Sequence, residues 1–399
     1  MGAELVTGIH WLEPLMPSFP AEILKLAEQV PFQAGKLSAM VAPQMIQRVG
    51  GLLRVTSSFY SNLIEGQFTE PVTLAPSAPK RNRKELNELA MMHIGTQQAF
   101  ERAITIHNNL PWDSAFSSTF VARLHKRLFD GAVDEQLRLS NGSLLVPGQL
   151  RDAAGKDVLV GNHAAPSCTA VIPMLARMQQ VYGRLPDARS RLIAIMAYHH
   201  RLAWVHPFVD GNGRTVRLVT HLQLHKLGLV SPLWSLSRGL ARQQDMYYAR
   251  LANADKPRRG DLDGRGQLTQ AGLFEFVGFM LETCLDQMSY TEQALNVSNM
   301  RERLHTIFAW DERIKRAGLK QETARALHIL LTQGTVTRAD FKIFTGLPDR
   351  VATDQLRSLV QLGLVESPTP KARDVYPGLP IWFAQLLFPD LHQRMVTAL

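Results

Sequence analysis

Apolar residues recur along most of this chain at the spacing of helices rather than strands. Beyond Gly213, the positions Val216, Leu218, Val219, Leu222 and Leu224 draw a mostly 3.6-residue stripe, which predicts a helix over 213–226. The same periodicity predicts helices over 21–29, 44–65, 84–108, 113–128, 167–184, 188–204, 237–254, 269–297 and 300–317. Gly50-Gly51 is expected to break or bend the second of these, and Gly66 to cap its C-terminus. Residues 73–83 form a proline-containing loop without periodicity. Val158-Leu159-Val160, short and partly β-branched, reads as an edge strand or hairpin arm.

From Gln321 the segments shorten. Helical patterns over 323–332, 337–345 and 349–362 are separated by turns at Gly334 and Gly346, and 364–366 can pair with 374–376. Three short helices and a hairpin describe a winged helix-turn-helix. The expected fold is therefore mostly α: a helical bundle with a small β-hairpin, then a C-terminal winged helix-turn-helix. The expected divisions are 1–110, 111–300 and 301–399.

The chemistry is densest at His206-Pro207-Phe208-Val209-Asp210-Gly211-Asn212-Gly213-Arg214-Thr215-Val216-Arg217. Gly211 and Gly213 leave backbone N–H groups open to an anion. Arg214 and Arg217 fall three apart in the first turn of the following helix. There the positive dipole end disfavours a cation by roughly 0.3–1 kcal/mol, so two of them imply a strongly negative occupant. The run reads as a polyphosphate cradle with a base, His206, and a hard carboxylate, Asp210, at its lip. A second mismatch lies upstream. Glu65 ends a helix at the negative pole, one turn after Ser61, and so lacks a cation.

Composition adds bounds. With 45% apolar and 20% charged residues, the chain suits a core-forming globular protein. No apolar run approaches the ~18 residues that span a bilayer, and residues 1–14 lack a basic-then-apolar leader. A cytoplasmic protein with no membrane partner is expected. Cys168 and Cys284 are the only cysteines, which argues against a disulfide framework or a Cys-based zinc site. The net charge of +9 fits a phosphate-rich partner without separating nucleotide from nucleic acid.

The 206–217 run resembles the signature of the Fic family, His-Pro-Phe-x-Asp/Glu-Gly-Asn-Gly-Arg-x-x-Arg, with every specified position filled. Ser61-Asn62-Leu63-Ile64-Glu65-Gly66 is similar to that family's inhibitory motif, Ser/Thr-x-x-x-Glu-Gly/Asn, in the class whose inhibitory helix precedes the core. Val158–Val160 stands where the family has its target-binding flap. Arg242–Tyr248 resembles a segment written Asn-Arg-x-x-Tyr-Tyr, with Gln243 and Gln244 in place of Asn-Arg.

The resemblance implies a Fic-type bundle that transfers AMP from ATP to a Tyr, Ser or Thr hydroxyl of a target protein, and to itself. His206 would be the general base, suited by an unperturbed pKa near 6.5. Asp210 would hold Mg²⁺ across the α- and β-phosphates. Amides of Gly211–Gly213, with the Asn212 side chain, would steady the α-phosphate, and Arg214 and Arg217 the β- and γ-phosphates. Thr215, Val216, Gln243, Tyr247 and Tyr248 complete the expected nucleotide contacts. The flap would bind target main chain by β-augmentation. A Glu65–Arg217 pair would remove a γ-phosphate anchor and hold the site shut, with Ser61 and Gly66 framing it. A homodimer is implied by the family alone.

Alternatives stay open on the residues. Residues 313–373 carry 11 Lys/Arg against 5 Asp/Glu, which favours DNA contact, while Asp349 and Asp354 on the recognition helix oppose it. The second class of reading is thus a DNA-binding regulator with a nucleotide-sensing core. Within the enzyme class, another nucleotide, phosphate transfer or removal of AMP also fit. His199-His200 with His206 suggests a metal cluster less than it suggests helix packing by His199.

Overall fold

The computed structural model describes residues 6–40, 43–65, 92–97, 99, 110–139, 141–152, 157–160, 163–229, 233–369 and 371–388. Gly66, the 73–83 loop and most of the expected 84–108 helix lie outside them; 92–97 are helical. The fold is mostly helical, as expected. The chain divides into two compact units, one drawn from 1–32, 57–230 and 236–286, the other from 33–56, 231–235 and 287–399. This grouping cuts the chain at other places than 110 and 300. Among the described residues no helix is long and apolar enough to cross a membrane.

Helix α1 (Ala21–Ala39) runs on past the expected Gln29 with Pro31 inside it. Helix α2 (Pro43–Ile64) is continuous through Gly50-Gly51, which corrects the expected break. Each glycine costs roughly 1 kcal/mol relative to alanine in a helix, and packing offsets that here, with Gly50 and Leu53 buried.

The first unit is organised on α3 (Ser118–Leu128), α4 (Cys168–Tyr182), α5 (Ala188–Val205) and α6 (Asn212–Lys226). The expected 113–128 helix is interrupted at Ser117. Its hydroxyl accepts the Phe120 N–H at 3.1 Å and starts α3 afresh after a 3₁₀ turn over Asp113–Phe116. Every residue of α5 from Leu192 to Leu202 is buried, so this helix has no solvent stripe and is the centre of the bundle. Both α4 and α6 pack on it, and α3 packs on α4 and α6. Phe116 joins the layers, with ring centres 5.0 Å from Trp112, 4.9 Å from Tyr198 and 6.0 Å from Tyr182.

A hairpin of β1 (Leu159–Val160) and β2 (His163–Ala164) pairs Val160 with His163, so the expected strand has a partner arm that the sequence pattern did not mark. The expected 237–254 helix divides into α7 (Leu236–Arg242) and α8 (Gln244–Ala254) at Gln243, which leaves helical geometry at φ −122°. Helix α9 (Gln270–Ala294) follows.

In the second unit the expected 300–317 helix is two: α10 (Val297–Trp310) and α11 (Glu312–Arg316). They part where the Asp311 carboxylate caps the N–H groups of Arg313 and Ile314. Then come α12 (Thr323–Gln333), α13 (Arg338–Thr345) and α14 (Asp349–Gln361), close to the expected spans. Gly334 and Gly346 end two of them at φ 78° and 67°, values that suit glycine. Strands β3 (Val336–Thr337), β4 (Val365–Glu366) and β5 (Asp374–Pro377) form an antiparallel sheet in the order β3-β5-β4. The expected hairpin is β4–β5; β3 and the last helix, α15 (Ile381–Leu387), are additions.

Replacing Phe116 by Ala should lower unfolding stability by about 3–5 kcal/mol, because a fully buried ring joining three aromatic neighbours leaves a cavity. Denaturant unfolding of the two proteins checks this; a change under about 1 kcal/mol would contradict the packing described.

Candidate active site

The site begins where α5 ends. His206 terminates that helix in the left-handed region, φ 49° and ψ 63°, the one non-glycine among the described residues with positive φ. Such a conformation costs an L-residue about 1–2 kcal/mol and persists only when its surroundings hold it. Arg151, fully buried, does the holding. Its Nε donates to the His206 carbonyl at 2.5 Å and its Nη2 to the Val205 carbonyl at 2.7 Å. Its own N–H donates to the Pro207 carbonyl at 2.9 Å. No sequence pattern marked Arg151.

The loop after His206 is braced from within and from α3. Asn212 closes it, its Oδ1 accepting the Phe208 N–H at 2.9 Å and its Nδ2 donating to the Phe208 carbonyl at 2.8 Å. This side chain shapes the turn, and Asn212 also stands on the cavity wall. His125 lies flat on Phe208, ring centres 3.8 Å apart. Its Nδ1 accepts the Gly148 N–H at 2.8 Å, so Nε2 carries the proton and donates to the Asp210 carbonyl at 3.0 Å. Gly211, at φ 76°, has room for no side chain: a Cβ would meet the Phe129 ring at 2.8 Å. Thr215 turns its hydroxyl back to the Gly211 carbonyl at 2.8 Å and is buried, so it supports the loop instead of lining the cavity.

Helix α6 starts at Asn212 and presents its positive pole to a cavity of about 620 Å³. His206, Asn212, Gly213, Val216, Arg217, Tyr247 and Tyr248 line it, together with Glu65. The sequence-expected residues that it does not bring to the wall are Ser61, Asp210, Gly211, Arg214, Thr215, Gln243 and Val158–Val160. The hairpin reaches the cavity through His163 and Ala164 instead. Arg214 is buried, its guanidinium 4.8 Å from the Phe129 ring centre. Gln243 is exposed, while its neighbour Gln244 donates from Nε2 to the Ile64 carbonyl at 3.2 Å. Tyr248 donates its hydroxyl to the same carbonyl at 3.1 Å.

The end of α2 lies over the cradle. Arg217 Nη2 donates to Glu65 Oε1 at 2.7 Å and to the Ser61 carbonyl at 2.7 Å, and Nε donates to Ser61 Oγ at 3.0 Å. A Cβ on Gly213 would stand 2.1 Å from Glu65 Oε1, so this carboxylate rests directly on the N-terminal turn of α6. Burial alone would raise the Glu65 pKa, but the charge and hydrogen bond of Arg217, with Arg214 and His206 behind, hold it below the usual value. Asp210 is exposed. Its Oδ1 accepts the Gly211 N–H at 2.7 Å, and among the described residues nothing hydrogen-bonds its other oxygen. A single hard carboxylate oxygen fits one protein ligand to Mg²⁺.

Burial, with Arg151 and His163 nearby, pushes His206 down to about 4 rather than leaving it near 6.5. It is therefore neutral and able to accept a proton across the physiological range.

The central helix of the bundle hands over, through a left-handed histidine, to a glycine-cradled helix N-terminus, an arrangement that suits an anion. Residues 115–224 match the Fic/DOC family, and the chain carries a Fic/DOC family domain. Solved structures of similar fold include a Fic family protein from Desulfovibrio desulfuricans at 18% identity and TM-score 0.54, covering 91% of this chain and 98% of that one. A Fic domain containing signaling protein from Bacteroides thetaiotaomicron is 15% identical with TM-score 0.50, over 68% of this chain and 97% of its own. Residues 134–508 of Fic-1 from C. elegans are 16% identical with TM-score 0.51, over 69% of this chain and 73% of that one. At these identities the likeness is one of fold.

His125, pushed down to about 4 chiefly by burial, and His206 both take up protons more readily in the unfolded chain. Their contribution to stability is complete above pH 6.5 and is lost as pH falls from about 6.5 through about 4. An NMR titration of the histidine Cε1 protons should place the His206 midpoint near 4; a midpoint at 6.5 would mean a solvated ring.

Proposed function

We propose that this protein is an autoinhibited protein adenylyltransferase, which transfers AMP from ATP to a hydroxyl of a target protein and of itself. The observation that carries the proposal is the Glu65 carboxylate seated on the N-terminus of α6 and bonded to Arg217 at 2.7 Å, in one cavity with His206. A helix pole and a buried guanidinium are the two features that would otherwise receive phosphate.

In the reaction, neutral His206 takes the proton of the Tyr, Ser or Thr hydroxyl as its oxygen attacks the α-phosphorus. The α–β phosphoanhydride bond breaks, and pyrophosphate leaves with its negative charge facing Arg217. Asp210 would hold Mg²⁺, which would supply charge neutralisation to the phosphates. The Gly213 amide lies on the cavity wall for the transferred phosphoryl group, and Tyr247 and Tyr248 offer ring surface to the nucleobase. The β1–β2 hairpin, with Leu159 exposed, presents main chain for a target segment. While Glu65 holds Arg217, ATP lacks its γ-phosphate anchor and sits in a pose that does not react.

We read the three helices and sheet of the second unit as a winged helix that serves as adaptor or scaffold. Asp349 pairs with Lys342 and Asp354 with Arg357, which withdraws two cations from contact with a nucleic-acid backbone. We propose a homodimer on the family resemblance alone, and a cytoplasmic location on the two lone cysteines.

Incubated with α-labelled ATP and Mg²⁺, the Glu65→Gly protein should label itself at least about tenfold faster than the natural chain, the worth of about 1.4 kcal/mol of relieved competition. Equal labelling of the two would remove the inhibitory role. His206→Ala in the Glu65→Gly background should lose about 10²–10⁴ of the rate while still binding ATP, and retained transfer would exclude His206 as base. Mass spectrometry of the adduct distinguishes AMP from another nucleotide or phosphate.

A further inference from the structure

The geometry points to a docking surface for an acidic stretch of the target protein, formed by Lys256 and Arg259 on the loop that follows α8. The inference rests on the proposed transfer to a protein hydroxyl and names the chemistry of the protein that receives it.

Between 256 and 265 the chain carries Lys256, Arg258, Arg259 and Arg265 against Asp261 and Asp263. The C-terminal pole of α8 favours a cation by about 0.3–1 kcal/mol near its last turn, which accounts for Lys256 and not for the rest. The nearby carboxylates are engaged elsewhere. Asp255 Oδ1 lies 3.0 Å from His200 Nε2, Glu275 is paired with Arg250, and the exposed Asp261 stands 3.8 Å from Arg258. Asp263 is buried and accepts the N–H groups of Arg259 at 2.9 Å and of Ala271 at 2.8 Å. Lys256 Nζ donates to Asn253 Oδ1 at 3.2 Å, and Arg259 Nη2 donates to the same oxygen at 2.9 Å. Two exposed cations thus share one neutral acceptor, within roughly 6 Å of each other, and among the described residues no carboxylate pairs with either. An anion between them would relieve that repulsion.

The loop is a fixed platform. The Arg258 N–H donates to the Gln267 carbonyl at 2.8 Å, the Leu268 N–H to the Glu13 carbonyl at 3.0 Å, and the Thr269 N–H to the Lys256 carbonyl at 2.9 Å. Both cations are therefore in place before a partner arrives, which lowers the cost of ordering them on binding. The platform also adjoins the chemistry. Asp255 and Lys256 stand on the wall of the cavity that holds His206, and so does His163 of β2. His163 Nε2 donates to the Trp204 carbonyl at 2.8 Å, and its Nδ1 lies 3.8 Å from Asp255 Oδ2. A target segment laid on the hairpin with its hydroxyl toward His206 passes this rim. Carboxylates on the segment meet the cation pair, whereas lysines there meet repulsion, so the surface selects as well as binds.

Fluorescence anisotropy of the natural chain tests this with a labelled peptide holding one Tyr among glutamates, and with its twin carrying lysines instead. The glutamate peptide should bind, less tightly as salt rises, and the lysine twin at least about tenfold more weakly. Lys256→Gln with Arg259→Gln keeps donors for Asn253 and removes both charges; it should weaken the glutamate peptide about tenfold. Arg316→Gln with Arg325→Gln, the same change of charge in the second unit, should leave it within about twofold. Saturating ATP with Mg²⁺ should not displace the peptide. Absence of binding, equal binding of the twins, or equal loss with the two double variants would overturn the proposal. Displacement by ATP would overturn it too, and assign the cations to the nucleotide. So would unchanged peptide binding in the Lys256/Arg259 variant together with lost sedimentation on phosphatidylserine vesicles, which would assign them to a lipid surface. A chain that binds the peptide in the expected pattern, while its Glu65→Gly form transfers no AMP, would overturn the proposed activity and leave the acidic docking surface standing.

Discussion

A guanidinium buried in the first turn of a helix is the constraint on which this site turns. Arg217 is 3% exposed, next to the equally buried Arg214, at the pole of α6 that repels positive charge. Leaving such a cation without an anion costs several kcal/mol. The chain meets that cost with Glu65 and the two oxygens of Ser61, and for this α2 must end where α6 begins. Gly213 is small because the carboxylate has to pass over it. Tyr247 is buried and lines the same cavity as that cation. Each of these features is intelligible only once Arg217 is placed.

A second constraint acts on the histidine. A residue held at φ 49° with its ring toward a cavity needs its backbone fixed from behind, and the groups that do so come from distant parts of the chain. Arg151 spends its side chain on two carbonyls, and His125 spends both nitrogens on backbone groups of the Gly148 turn and of Asp210. A charged side chain and a titratable one are used here as rigid hydrogen-bond frames. Burial keeps His125 neutral so that Nδ1 can accept, and its protonation would remove that bond.

The residue types in the 206–217 run were legible in the sequence because close backbone approach, cation placement and helix start all leave local marks. The mismatch at Glu65 was legible for the same reason, since a carboxylate at a helix C-terminus is locally wrong. Arg151 and His125 left no such mark. Their partners are backbone groups, which any sequence supplies, and His125 within His125-Lys126-Arg127 reads as an ordinary basic end of a helix. The Asn212 amide also closes the loop on Phe208, a contact four residues away that the residue type alone does not mark. The α7–α8 break at Gln243 carries neither Gly nor Pro. It leaves Gln243 exposed and off the cavity wall, while Gln244 bonds the Ile64 carbonyl.

How Glu65 is held bears on how it is displaced. The end of α2 is fastened by neutral contacts as well as by charge: the Ile64 carbonyl accepts from Gln244 and from Tyr248, and Ser61 stays bonded to Arg217 through both its hydroxyl and its carbonyl. Each neutral hydrogen bond contributes about 0.5–1.5 kcal/mol net. The Glu65 side chain, by contrast, is 33% exposed, so it can exchange its contact for water without unfolding anything. On the proposed reading, an incoming phosphate needs to replace only one carboxylate at a pole it shares, while the backbone of the helix remains docked. A doubly charged phosphoryl group outcompetes a singly charged, partly hydrated carboxylate for the same guanidinium once it is close. On that reading, inhibition is a contest over side-chain rotation at Glu65, not over the folding of α2.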